Sequence, residues 1–95
     1  MNDKLFYRGT IVEFVSTNAP NRSLEKYILA ECHEDEKVFQ IICISGYHAG
    51  SVEGFVDRDS SPLATNSKAV TYEHLISELK KNFEIVKMDS FKILN

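Results

Sequence analysis

The chain has 95 residues, 43% of them hydrophobic and 26% charged, which is ordinary globular material with room for one domain, residues 1–95, around one core. Its net charge of −3, with dispersed basic residues, argues against nucleic acid as a partner, because neutralising phosphates takes a clustered Lys/Arg face. No run of ~18 apolar residues is present to span a membrane, and the stretch from Met1 to Arg8 lacks the ~7 to 15 apolar residues of a signal peptide; the expectation is a cytoplasmic protein, with no membrane partner and with Cys32 and Cys43 as reduced thiols.

In chain order, Arg8 to Thr17 is rich in β-branched and aromatic residues and stops at the turn cluster Asn18-Ala19-Pro20-Asn21, which predicts a strand. Leu24 to His33 and Val38 to Ile44 read as a hairpin. With Glu34 to Lys37 as a symmetric loop, Cys32 faces Phe39, Ile28 faces Cys43, and Leu24, Ile28, Ala30, Cys32, Phe39, Ile41 and Cys43 share one face. The other face still carries Tyr27, Leu29, Ile42 and Ile44, so the hairpin is expected at the centre of a sheet covered on both sides. In that register the cysteines lie on the order of 13 Å apart at ~3.3 Å per residue, too far for a disulfide.

Val52 to Val56 is a further strand, and Asp57 to Lys68 a loop. Thr71 then has the character of an N-cap. Tyr72, Leu75, Ile76, Leu79 and Phe83 recur at the spacing of one helical face, with Leu75, Ile76 and Leu79 toward the core, Glu78 toward solvent, and Lys80 and Lys81 in the last turn. A final short strand is expected around Phe91 to Leu94. The fold class is therefore α+β, a mostly antiparallel sheet of about four to five strands with one C-terminal amphipathic helix packed on it.

The search for chemistry yields little. Cys32 and His33 are adjacent on a strand and point to opposite faces, and neither C-x-x-C nor H-x-x-x-H occurs, so no metal site is expected. Ser45, Cys43 and His48 are the best nucleophile and base candidates, but no group to orient His48 can be named, and the expectation is a protein that is not an enzyme. The acidic run Glu34-Asp35-Glu36, with Asp57 and Asp59 further along, is either a set of solvated turns or an acidic patch that meets a basic partner. Gly46 and Gly50 bracket Tyr47-His48 after a strongly apolar strand. This is either a bend needing glycine conformations or a presented Tyr/His pair of the sort that anchors protein interfaces.

The succession Arg8-Gly9-Thr10-Ile11-Val12-Glu13, Tyr27-Ile28-Leu29-Ala30-Glu31, Ser45-Gly46-Tyr47-His48-Ala49-Gly50 and the helix from Tyr72 to Asn82 resembles a family of small immunity proteins. Members of that family are found beside bacterial polymorphic and contact-dependent growth-inhibition toxins. The resemblance implies a cytosolic inhibitor, without catalytic residues or cofactor, that binds one cognate protein toxin. A nuclease with a basic substrate site is the toxin that an acidic inhibitor would suit. The expected partner-binding residues are Glu34, Asp35, Glu36, Tyr47, His48, Asp57 and Asp59. The alternatives are a small regulatory or accessory binding subunit, or a small enzyme with His48 held against Ser45 or Cys43.

Overall fold

The computed structural model describes residues 4–16, 24–34, 36–46, 48–59, 61, 64, 68–83 and 86–95. Their elements are β1 (Leu5–Phe6), β2 (Ile11–Ser16), β3 (Leu24–Glu31), β4 (Lys37–Cys43), β5 (Val52–Asp57), β6 (Val70–Thr71), α1 (Tyr72–Asn82) and β7 (Val86–Ile93). Strands β2 to β5 make an antiparallel meander and β7 returns beside β2, giving the five-stranded order β5-β4-β3-β2-β7. The small pair β1 and β6 forms a second sheet. The architecture is α+β, as the periodicities predict.

The hairpin register differs from the expected one by a single residue. Tyr27 pairs with Cys43, Ile28 with Ile42, Leu29 with Ile41 and Glu31 with Phe39. The connection places an odd number of residues between paired positions, where a symmetric loop over Glu34 to Lys37 would place an even number. Because side chains alternate along a strand, a slip of one exchanges the faces. Tyr27 and Leu29, not Ile28 and Ala30, therefore join Phe39, Ile41 and Cys43 in the core, with Val12, Phe14 and Val56 from the flanking strands. Only this face is covered by α1; the described residues place no helix or second sheet over the other.

Aromatic rings organise the covered face. Phe14 stacks on Tyr27 with centroids 4.8 Å apart, and Phe83, just past the helix, sets its edge against both at 5.2 and 5.1 Å. Phe91 and Tyr72 extend the cluster toward Phe6 of the small sheet. Edge-to-face and offset contacts of this kind add to the burial of large apolar area.

Helix α1 starts as predicted, with the Thr71 hydroxyl accepting from His74 N at 3.2 Å. Lys80 and Lys81 in its last turn complement the helix dipole. Leu75, Leu79 and Phe83 are fully buried, whereas Tyr72 and Ile76 are half-buried. Glu78 is a correction: expected in solvent, it is buried. The cause is the position of the helix beside the outer edge of β5, where His74, Glu78 and Asn82, spaced one helical turn apart, act as a substitute strand. The Asn82 amide accepts from Phe55 N at 3.2 Å and donates to Phe55 O at 2.8 Å; Glu78 Oε1 accepts from Asp57 N at 2.7 Å, and His74 Nε2 donates to Asp57 O at 2.8 Å. Backbone groups that an edge strand would leave open to another chain are thus satisfied by one helix face. Gly54 makes the approach possible, since a Cβ there would collide with the Asn82 side chain.

The other sheet edge is blunted differently. Between the pairs Glu13 with Lys92 and Val15 with Lys87, β7 spends extra residues in a bulge. Ser90 Oγ bridges it, accepting from Val15 N at 3.1 Å and donating to Lys87 O at 2.7 Å. The strand predicted over Phe91 to Leu94 is the end of this longer, kinked one.

Candidate functional site

Among the described residues, those singled out from sequence do not all lie together. Glu34 and Glu36 are exposed at the β3–β4 turn, which is closed by Lys37 N donating to Glu34 O and Arg58 N donating to Glu36 O, each at 3.2 Å. His48 is half-buried in the β4–β5 turn, at the opposite end of β4 and on the order of 25 Å away at ~3.3 Å per residue. Asp35 and Tyr47 lie outside the described residues.

Asp57 and Asp59 both serve the fold. Asp57 sits between Lys37 Nζ and Lys81 Nζ, each at 2.7 Å, and hydrogen bonds from Lys37 and then Lys81 hold its carboxyl down at about 2. Asp59 is buried. One of its oxygens accepts from Thr71 N at 2.7 Å and Thr71 Oγ1 at 3.0 Å, the other from Ser61 N at 2.8 Å. Burial alone would raise its pKa, but these hydrogen bonds outweigh that and lower it. Asp59 therefore fixes the start of α1 against the preceding loop.

The glycine-bracketed segment is a tight turn. Gly46 and Gly50 have φ of 72° and 94°, in the left-handed region. Gly50 N donates to Cys43 O, and the His48 carbonyl accepts from both Ser51 N and Ser51 Oγ at 2.9 Å. Gly46 has a second constraint in a carboxylate that sequence reasoning missed, since a Cβ there would run into buried Glu25. Ser45 Oγ donates to Glu25 Oε1 at 2.7 Å and accepts from Lys26 N at 2.8 Å, and the Cys43 thiol donates to Ser45 O at 3.0 Å. Burial pushes the Cys43 thiol up, opposite to what a nucleophile needs. The signal for Glu25 is its alternation with Tyr27 and Leu29, legible only in the correct register.

Two other places have site-like geometry. Tyr7, Arg8, Glu31, Phe39 and Lys68 line a cleft of about 380 Å³. Arg8 and Lys68 both pair with Glu31, the latter at 3.0 Å, and hydrogen bonds from Lys68 and then Arg8 hold the Glu31 carboxyl below its ordinary value. Two cations on one carboxylate leave the cleft with one positive charge in excess. The second place is the uncovered sheet face, where Ile11, Ile28, Ile42 and Val52 pair in succession across four strands. Among the described residues, no three His, Cys, Asp or Glu side chains converge as metal ligands, and no helix is long and apolar enough to cross a membrane.

Comparison with protein families, with curated protein sequences and with solved structures returns no match for this chain.

Proposed function

We propose that this chain is an immunity protein, which binds and neutralises a cognate bacterial toxin through a protein–protein interaction in the cytoplasm. The toxin is a nuclease whose substrate site is basic. The observation that carries the reading is the β3–β4 turn, where Glu34 and Glu36 stand exposed at the end of the hairpin, whereas Asp57 and Asp59 are engaged in ion pairs and hydrogen bonds within the chain. Exposed carboxylates at the end of a hairpin suit a basic cleft, and their charges steer the encounter. The family resemblance of the segments from Arg8 to Asn82 supports the same reading.

The test is protection. The reading requires a toxin domain encoded beside this chain's gene; cells expressing that domain should grow when this chain is co-expressed, and Glu34→Lys with Glu36→Lys should weaken the rescue. Failure of the wild-type chain to protect overturns the reading. A second reading, an accessory subunit of a host complex, draws on the uncovered apolar sheet face; stable co-purification with a non-toxic host protein would favour it.

A further inference from the structure

Among the described residues, the sheet face opposite α1 is uncovered, with an apolar centre and a basic side. Ile11, Ile28, Ile42 and Val52 form one row, with Val52 48% exposed. Phe55, opposite Gln40, flanks that row on one side; on the other comes the charged pair Glu13 and Lys26 and, beyond it, Val15 with Leu24, Leu24 being 49% exposed. Five strands at ~4.8 Å and about six residues of each at ~3.3 Å give this face a flat footprint of roughly 500 Å², before side-chain relief. That is close to the ~600 Å² per partner at which specific interfaces begin.

Charge selects the occupant. On the side formed by β2, β3 and β7, Lys92, Glu13 and Lys26 lie in one cross-strand row and Lys87 sits opposite Val15. Glu13 is matched by Lys26 at 3.4 Å; on β7 the exposed Lys87 and Lys92 outnumber the one carboxylate between them, Asp89, which leaves this border positive on a protein whose net charge is −3. A second copy of this face would bring the same excess of positive charge and no carboxylate border to meet it. Nucleic acid would find mainly aliphatic side chains, with Phe55 the single ring among them, where single-strand binders present a series of stacking aromatics. A protein surface with an apolar patch bordered by Asp or Glu satisfies both the row and its lysines.

We propose that the open sheet face, centred on Ile28 and Ile42 and bordered by Lys87 and Lys92, is a docking surface for a protein carrying an apolar patch flanked by carboxylates. It is separate from the acidic turn, which points to a basic partner, so the chain offers two surfaces of opposite electrostatic preference. The isoleucines hold the complex and the lysines orient it.

The full chain carrying p-benzoylphenylalanine in place of Ile28, expressed in its native host and photoactivated, should form an adduct with another protein. Lys87→Glu with Lys92→Glu should reduce the yield at least ~10-fold while thermal melting shows the fold intact. The same probe in place of Glu36 reports on the acidic turn. An adduct with a second copy or with lipid, an adduct insensitive to the lysine reversals, or no adduct from position 28 overturns the proposal. Adducts from position 36 alone sink this surface but leave toxin binding standing, whereas no adduct at either position counts against both. In vitro, anilinonaphthalene sulfonate, an apolar ring system bearing one anion, should brighten with the wild-type chain and much less with Ile28→Gln plus Lys92→Glu. Equal brightening refutes the assignment of the face.

Discussion

Asn82→Ala should be among the most damaging changes to a half-buried polar residue in this protein. The side-chain amide makes both hydrogen bonds to Phe55, and its Nδ2 also donates to Glu78 O at 2.7 Å. Removing it strands an N–H and a C=O of β5 between helix and sheet, beside Gly54, where the new methyl group cannot replace them. A lost bond that leaves its partner buried costs about 1 to 3 kcal/mol, and partial access to water brings the pair toward the lower half of that range, about 2 to 4 kcal/mol together. Alanine returns about 0.5 kcal/mol through helix propensity, less at a last helical residue. A net loss of ~2 to 3 kcal/mol, against a total of ~5 to 10 for a chain of this size, would lower the melting temperature by roughly 10 to 20 °C. Urea denaturation followed by circular dichroism measures the loss, with exposed Ser77→Ala as the control. Hydrogen exchange should accelerate at the Phe55 and Asp57 amides before it does in β3. A change within ~0.5 kcal/mol of wild type, or acceleration spread evenly over the sheet, would refute the substitute-strand account.

Leu79→Ala removes a fully buried side chain and should cost about 2 to 5 kcal/mol; Glu78→Ala, which unpairs Asp57 N, should cost about 1 to 3 kcal/mol and not be silent, both by equilibrium unfolding. Because Asp57 has a folded value of about 2, below its ordinary 3.8, its stabilising contribution is complete above pH ~4 and disappears as the pH falls toward 2. The urea midpoint should fall across that window, and Asp57→Asn should flatten the fall; an unchanged profile would show that the two lysine pairs do not matter. Gly46→Ala, forced into a left-handed conformation and against Glu25, should destabilise by at least ~1 kcal/mol, more than Ala49→Gly in the same turn. Cys32 and Cys43, both free and buried, should resist alkylating reagents in the native protein and react fully in denaturant; rapid native labelling would contradict their burial.

The elements were legible wherever local chemistry decides them. The strand through Ile11 to Ser16, the helix from its Thr71 cap to Asn82 and the strand from Val52 all follow from period and caps. Register was not legible, because it turns on how many residues the β3–β4 connection holds, and Cys32 to Lys37 contains no Gly or Pro to mark the turn. That one step reversed the faces of Ile28 and Tyr27 and hid the open row of isoleucines. Long-range polar contacts were equally silent. Glu78 reads as a solvent position by helical period and Asp59 as a loop acid, and only the placement of α1 along β5 turns both inward. The pair β1 and β6 escaped because two-residue strands carry no periodicity.

The central claim, that this chain acts by binding a basic toxin through its acidic turn, is tested most directly by association kinetics. The purified chain would be measured against the toxin domain that the account requires beside its gene, at low and at physiological salt. The account predicts a tight complex of one chain with one toxin. Glu34→Lys with Glu36→Lys should slow association several-fold at low salt, with less effect at physiological salt, and leave dissociation nearly unchanged. No complex with the wild-type chain, or a complex whose association ignores both the reversals and the salt, would contradict it.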